Sequence, residues 1–126
     1  MNKKYVVGII LVFSVLIIAG CAGSEEINGD SMAVTEFREI EVTAEQWEFT
    51  PSVIKVKEGE AIRLLVTSID VDHGVNIPAF GVNVPAPAGQ TVPVEFVALQ
   101  KGEFPLICSV YCGEGHMDHR GVLVVE

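Results

Sequence analysis

The chain has 126 residues, 49% of them hydrophobic, and a formal net charge of −9. That length supports one hydrophobic core and one folded domain, and the acidic balance excludes a protein that grips nucleic acid or anionic lipid by charge. With three cysteines and three histidines in all, the soft and borderline metal donors are few enough for their positions to be informative.

Met1 to Lys4 contains two lysines, and Tyr5 to Gly20 is almost wholly apolar, closing in Ile18-Ala19-Gly20-Cys21. A basic n-region, an apolar h-region and a small-residue processing site mark residues 1–20 as a signal peptide. The closing tetrapeptide resembles a bacterial lipobox, which implies lipidation of Cys21. The alternative is an uncleaved membrane anchor, because Tyr5 to Gly23 is just long enough to cross a bilayer of about 30 Å. In both cases Lys3 and Lys4 put the remainder outside the cytoplasm, periplasmic or on the outer face of the cell membrane. All seventeen acids follow Cys21, leaving six basic side chains against them and a net charge of −11. Such a surface suits a basic protein partner, or simply keeps the domain solvated.

Residues 21–36 are short of large apolar side chains and read as a flexible linker. From residue 37 the pattern alternates, with Ile40, Val42 and Ala44 on one face and Glu39, Glu41 and Thr43 on the other. Further strands are expected at Val53 to Lys57, Ala61 to Thr67, Thr91 to Leu99, Glu103 to Cys108 and Gly121 to Val125. Turn signals separate them at Glu58-Gly59-Glu60, Pro85-Ala86-Pro87-Ala88-Gly89 and Gln100-Lys101-Gly102. Short strands without sustained helical periodicity or internal repeats predict an all-β sandwich over residues 37–126. Trp47, Phe49, Phe80, Phe96 and Phe104 are assigned to core or loop packing. No nucleophile stands beside a base and no glycine-rich phosphate cradle is present, so no catalytic residue is assigned and the chain does not read as an enzyme.

Cys108, Cys112, His116 and His119 fall within twelve residues, between an apolar strand and the last one. The remaining histidine, His73, is expected in a Gly-flanked loop, and a two-sheet fold gathers such loops at one end. Three readings stand. A Cys108–Cys112 disulfide is chemically possible outside the cytoplasm, but it closes a very small loop and leaves the histidines unused. Two Cys and two His make a tetrahedral zinc set, with His73 idle. Copper takes thiolate and imidazole together.

The loop Cys108-Ser109-Val110-Tyr111-Cys112-Gly113-Glu114-Gly115-His116 resembles the binuclear copper (CuA) loop of cytochrome oxidase subunit II and nitrous-oxide reductase. The pattern is Cys-Ser-x-x-Cys-Gly-x-x-His-x-x-Met followed by Gly, with Cys108, Ser109, Cys112, Gly113, His116 and Gly121 in register. Ser68 to Pro78 is similar to the segment carrying that family's first histidine. Pro87-Ala88-Gly89 stands at its Pro-Gly turn, and Gln46-Trp47-Glu48-Phe49 is similar to its aromatic strand. The resemblance spans Ile40 to Val125 and implies a cupredoxin-like Greek-key sandwich or barrel. It further implies that Cys108 and Cys112 bridge two coppers, that His73 and His116 each terminate one, and that the Val110 carbonyl is a weak donor. The departure is His119, which stands where the family has a thioether. Met117, two residues early, is assigned to surface or loop packing. His119 is either a strong ligand that lowers the potential or the cause of a mononuclear copper site.

Three functions follow. The first is a tethered electron carrier between redox proteins such as a c-type cytochrome and a terminal oxidase. The second is subunit II of a haem-copper oxidase itself. The third is copper delivery or scavenging through a mononuclear site.

Overall fold

The structure, a computed structural model, describes residues 36–126. The expectations for residues 1–35, including the signal peptide or anchor and the lipidation of Cys21, lie outside the described residues. Among the described residues no helix is long and apolar enough to cross a membrane.

Nine strands run as β1 (Arg38–Glu45), β2 (Glu48–Thr50), β3 (Val53–Val56), β4 (Ala61–Ser68), β5 (His73–Ile77), β6 (Val82–Ala86), β7 (Thr91–Val97), β8 (Gly102–Ile107) and β9 (Arg120–Val125). They form two sheets, ordered β2-β1-β4-β7 and β3-β9-β8-β5-β6. Two pairings are parallel, β1 with β4 and β3 with β9, and the rest are antiparallel. The expected two-sheet all-β sandwich is therefore present.

Period-two patterning explains how the sheets face each other, since alternate side chains of a strand point to opposite faces. In β4, Ile62, Leu64 and Val66 are fully buried while Arg63 and Leu65 alternate with them. Val42 and Ala44 of β1, Val94 and Phe96 of β7, and Leu123 and Val125 of β9 join the same core. Each large aliphatic side chain withdrawn from water contributes about 1.5–3 kcal/mol, so this shared interior holds the sheets together. Phe49 and Phe96 are buried, and Phe80 and Phe104 pack against the core, as their assignment required.

Three strands, β2, β5 and β6, lie outside the runs that the sequence pattern picks out. β2 has three residues, β5 opens on His73-Gly74, and β6 carries Pro85. The last is tolerated because β6 is an edge strand, where a missing N–H breaks no second ladder. His73 is thus corrected from a loop residue to the first residue of β5, paired with Ala86 of β6. Its backbone is held by a ladder, and its ring is aimed from a rigid element.

Candidate metal centre

Cys108 directly follows β8 and His119 directly precedes β9. These neighbours in the same sheet deliver both ends of the ligand loop to one place. The Cys108 N–H donates to the His119 carbonyl at 3.0 Å, extending the β8–β9 ladder across the base of the loop. Inside it, His116 to Asp118 form one turn of 3-10 helix, with Asp118 N–H donating to the Gly115 carbonyl at 3.0 Å.

A second segment braces the loop from the side. The Cys112 carbonyl accepts from Gln46 Nε2 at 2.8 Å and from Trp47 Nε1 at 3.2 Å. The Trp47 ring lies so close over Gly115 that a Cβ there would overlap it, and Gly113 takes a φ of +119° that disfavours other residues. Two glycines are therefore needed where the indole meets the loop. Trp47 is 41% exposed and packs on the loop rather than in the core, the loop-packing half of its assignment.

Cys108 and Cys112 are free and buried, with sulfurs 3.6 Å apart, so the disulfide reading does not describe this structure. His73 Nδ1 lies 3.8 Å from Cys108 Sγ, and His119 Nδ1 lies 3.5 Å from Cys112 Sγ. The candidate ligand atoms of these four buried residues all lie within 4.8 Å of one another. His116 falls outside that group and is only half-buried, yet its Nδ1 is 3.4 Å from Cys112 Sγ. The Val110 carbonyl lies 3.2 Å from Cys108 Sγ. All six donors named from the sequence within the described residues are thus gathered around the two sulfurs. Met117 is 73% exposed, as its surface assignment required.

The donor spacing fits a metal. A tetrahedral ion bound at about 2.3 Å by sulfur and about 2.0 Å by nitrogen needs sulfur–sulfur edges of about 3.8 Å and sulfur–nitrogen edges of about 3.5 Å. The sulfur–sulfur distance of 3.6 Å and the sulfur–nitrogen distances of 3.5 and 3.8 Å lie close to those edges. Thiolate with imidazole is also the donor chemistry that copper accepts.

Protonation follows from the surroundings. Burial holds the Cys112 thiol up at about 12, reinforced by its hydrogen bond with Cys108, so an incoming ion must displace a proton. Burial also pushes His119 down to about 4, with the neighbouring His73 adding to the effect, which leaves a neutral ring able to ligate. That ring stacks at 4.2 Å on Phe49, and its Nε2 has no hydrogen-bond partner. Packing on Phe49, tilted by 38°, and the contact of Nδ1 with Cys112 Sγ at 3.5 Å together orient His119.

Sequence reasoning gave Asp70 no role. Its Oδ1 accepts from His73 Nε2 at 2.7 Å and its Oδ2 from the Gln46 N–H at 2.7 Å, so one carboxylate links the His73 strand to the Trp47 segment. A carboxylate can only accept, so the proton sits on Nε2 and the Nδ1 lone pair points at the sulfurs. The available signal was an aspartate three residues before a candidate ligand. Partial burial pushes Asp70 up, but hydrogen bonds from Gln46, His73 and Val71 outweigh it and leave its carboxyl at about 2.

Because that value lies below the ordinary 3.8 of an aspartate, the stabilisation is present above about pH 4 and is lost as pH falls toward 2. Asp70→Asn is therefore expected to lower metal-free stability by about 1 kcal/mol at neutral pH, allowing for solvent screening. Urea unfolding at pH 7 and pH 2.5 checks this: the difference from wild type should shrink in acid, and an undiminished difference refutes the linkage.

Two packed sheets with buried thiols and imidazoles at one end define a β-sandwich metal-binding protein of the copper class. The profile described as a cupredoxin-like domain matches residues 8–125, and the chain belongs to that family. It is 35% identical over 78 residues to cytochrome c oxidase subunit 2 of Thermus thermophilus, covering 62% of this chain and 58% of the relative. It is 30% identical over 91 residues to nitrous-oxide reductase of Cupriavidus necator, covering 69% of this chain and 14% of the relative. The chain thus spans less than two thirds of the length of these curated relatives. Among solved structures, the periplasmic domain of subunit II of cytochrome oxidase (CoxB) of Bradyrhizobium japonicum superposes with a TM-score of 0.63 at 25% identity, covering 70% of this chain and 83% of that one. The expected family resemblance holds, and the site is CuA-like.

Proposed function

We propose that this protein is an extracytoplasmic, membrane-tethered electron carrier whose redox centre is a thiolate-bridged copper pair. The observation that carries the reading is the 3.6 Å edge between Cys108 and Cys112, with nitrogen or carbonyl donors beside each sulfur. Bound copper supplies a one-electron couple. The protein supplies rigidity: Cys108 and His119 sit at the ends of paired strands, His73 at the start of another, and Trp47 and Gln46 hold the Cys112 carbonyl. Donors that do not move between oxidation states keep the reorganisation small. The acidic surface favours a basic redox partner.

Copper stoichiometry with an electron paramagnetic resonance spectrum tests the proposal. Two coppers per chain and hyperfine structure from an electron shared by two nuclei are expected. A protein that stays colourless with cupric salt while its thiols remain alkylatable overturns it.

A second reading is a subunit of a terminal oxidase, favoured by the likeness to oxidase subunit II. Co-purification with a haem-copper catalytic subunit distinguishes it. A delivery role differs in retention: a carrier holds copper against a chelator in both oxidation states, whereas a delivery protein gives it up.

A further inference from the structure

The donors around the two sulfurs are unequal. His73, Cys108, Cys112 and His119 are all buried and mutually close, and each offers a strong ligand atom. The other pair, the half-buried His116 and the Val110 carbonyl, adds one imidazole and one weak oxygen. We propose that the buried four form a complete single-ion site that fills first, and that this site accepts a borderline divalent ion such as zinc or cobalt(II) as well as copper. The inference rests on the ligand set of the electron-carrier reading and adds an order of loading and a metal class to it.

Three physical reasons set the order. Three of the six donor edges, at 3.5, 3.6 and 3.8 Å, lie close to those of a tetrahedron and no pair exceeds 4.8 Å, so the first ion draws the donors in only a short way as it displaces protons. His119 is fully buried against Phe49 with its Nδ1 3.5 Å from Cys112 Sγ, so its ring already stands where a ligand is needed. A second ion must share thiolates that already donate to the first cation, is repelled by that cation, and has a carbonyl as its fourth donor. An imidazole at position 119, unlike a thioether, is a donor that zinc and cobalt(II) take readily.

Cobalt(II) titration of the reduced, metal-free, full-length protein in detergent tests this. Thiolate charge-transfer and tetrahedral ligand-field bands should grow to a break at one equivalent. His119→Gln should weaken cobalt binding at least about 100-fold, because a direct ligand matters more than an outer partner. His116→Gln, which removes only a neighbour of Cys112, should weaken cobalt binding by no more than about 10-fold. Equal uptake of two equivalents, or a loss in His116→Gln as large as in His119→Gln, overturns the proposal. If His119→Gln does not fold by circular dichroism, the wild-type break and the His116→Gln affinity still decide. A parallel copper titration separates the two readings. A one-equivalent cobalt site without a shared-electron copper signal defeats the carrier reading alone, and the reverse result defeats the loading order alone.

Discussion

Cys112→Ser is expected to abolish the shared-electron copper signal and to leave at most one copper per chain. Cys112 Sγ is the sulfur nearest to both His116 and His119, at 3.4 and 3.5 Å, and it forms the edge with Cys108. A serine hydroxyl is harder, less basic toward copper and shorter in reach, so both proposed ion positions lose one of their two shared thiolates. The fold should survive, because the change is nearly isosteric and the loop remains tied at Cys108–His119 and at the Cys112 carbonyl. Paramagnetic resonance with metal analysis reads the outcome. Survival of a spectrum from an electron spread over two nuclei refutes the bridging role.

The second large effect is expected at His119. Imidazole is a stronger and harder donor than thioether and stabilises the oxidised ion, so His119→Met should raise the reduction potential, on the order of tens of millivolts, and shift the visible bands. The side chain is fully buried against Phe49, and methionine is flexible enough to fill that space. Protein-film voltammetry of wild type and variant gives the comparison. Identical potentials and spectra would show that His119 does not coordinate.

How much of this was legible in the sequence depends on what kind of force shapes each part. β4 and β9 carry strict alternation because one face is buried along their length, and both were found. β5 and β6 were missed because neighbouring strands, more than their own residues, impose extension on His73-Gly74 and on a segment with Pro85. The donor cluster was legible because Cys108 to His119 is contiguous. Which donors group together was not, since that depends on where β5 delivers His73 relative to the loop. Asp70 was invisible for a related reason. Its role arises only when the His73 strand and the Gln46 segment meet, and nothing in local spacing records that meeting.

The placement of β9 decides when the donors can come together. It follows the ligand loop in sequence, yet it lies between β3 and β8, pairing Val53 with Val122 and Phe104 with Leu123. The platform beneath the donors therefore needs the β3–β9 pairing, between distant parts of the chain, as well as the β8–β9 pairing across the ligand loop. Until β9 has paired, the Cys108 N–H has no His119 carbonyl to bond and the two ends of the ligand loop are not held together. The donor cluster is thus a product of the finished sandwich and not of the loop alone.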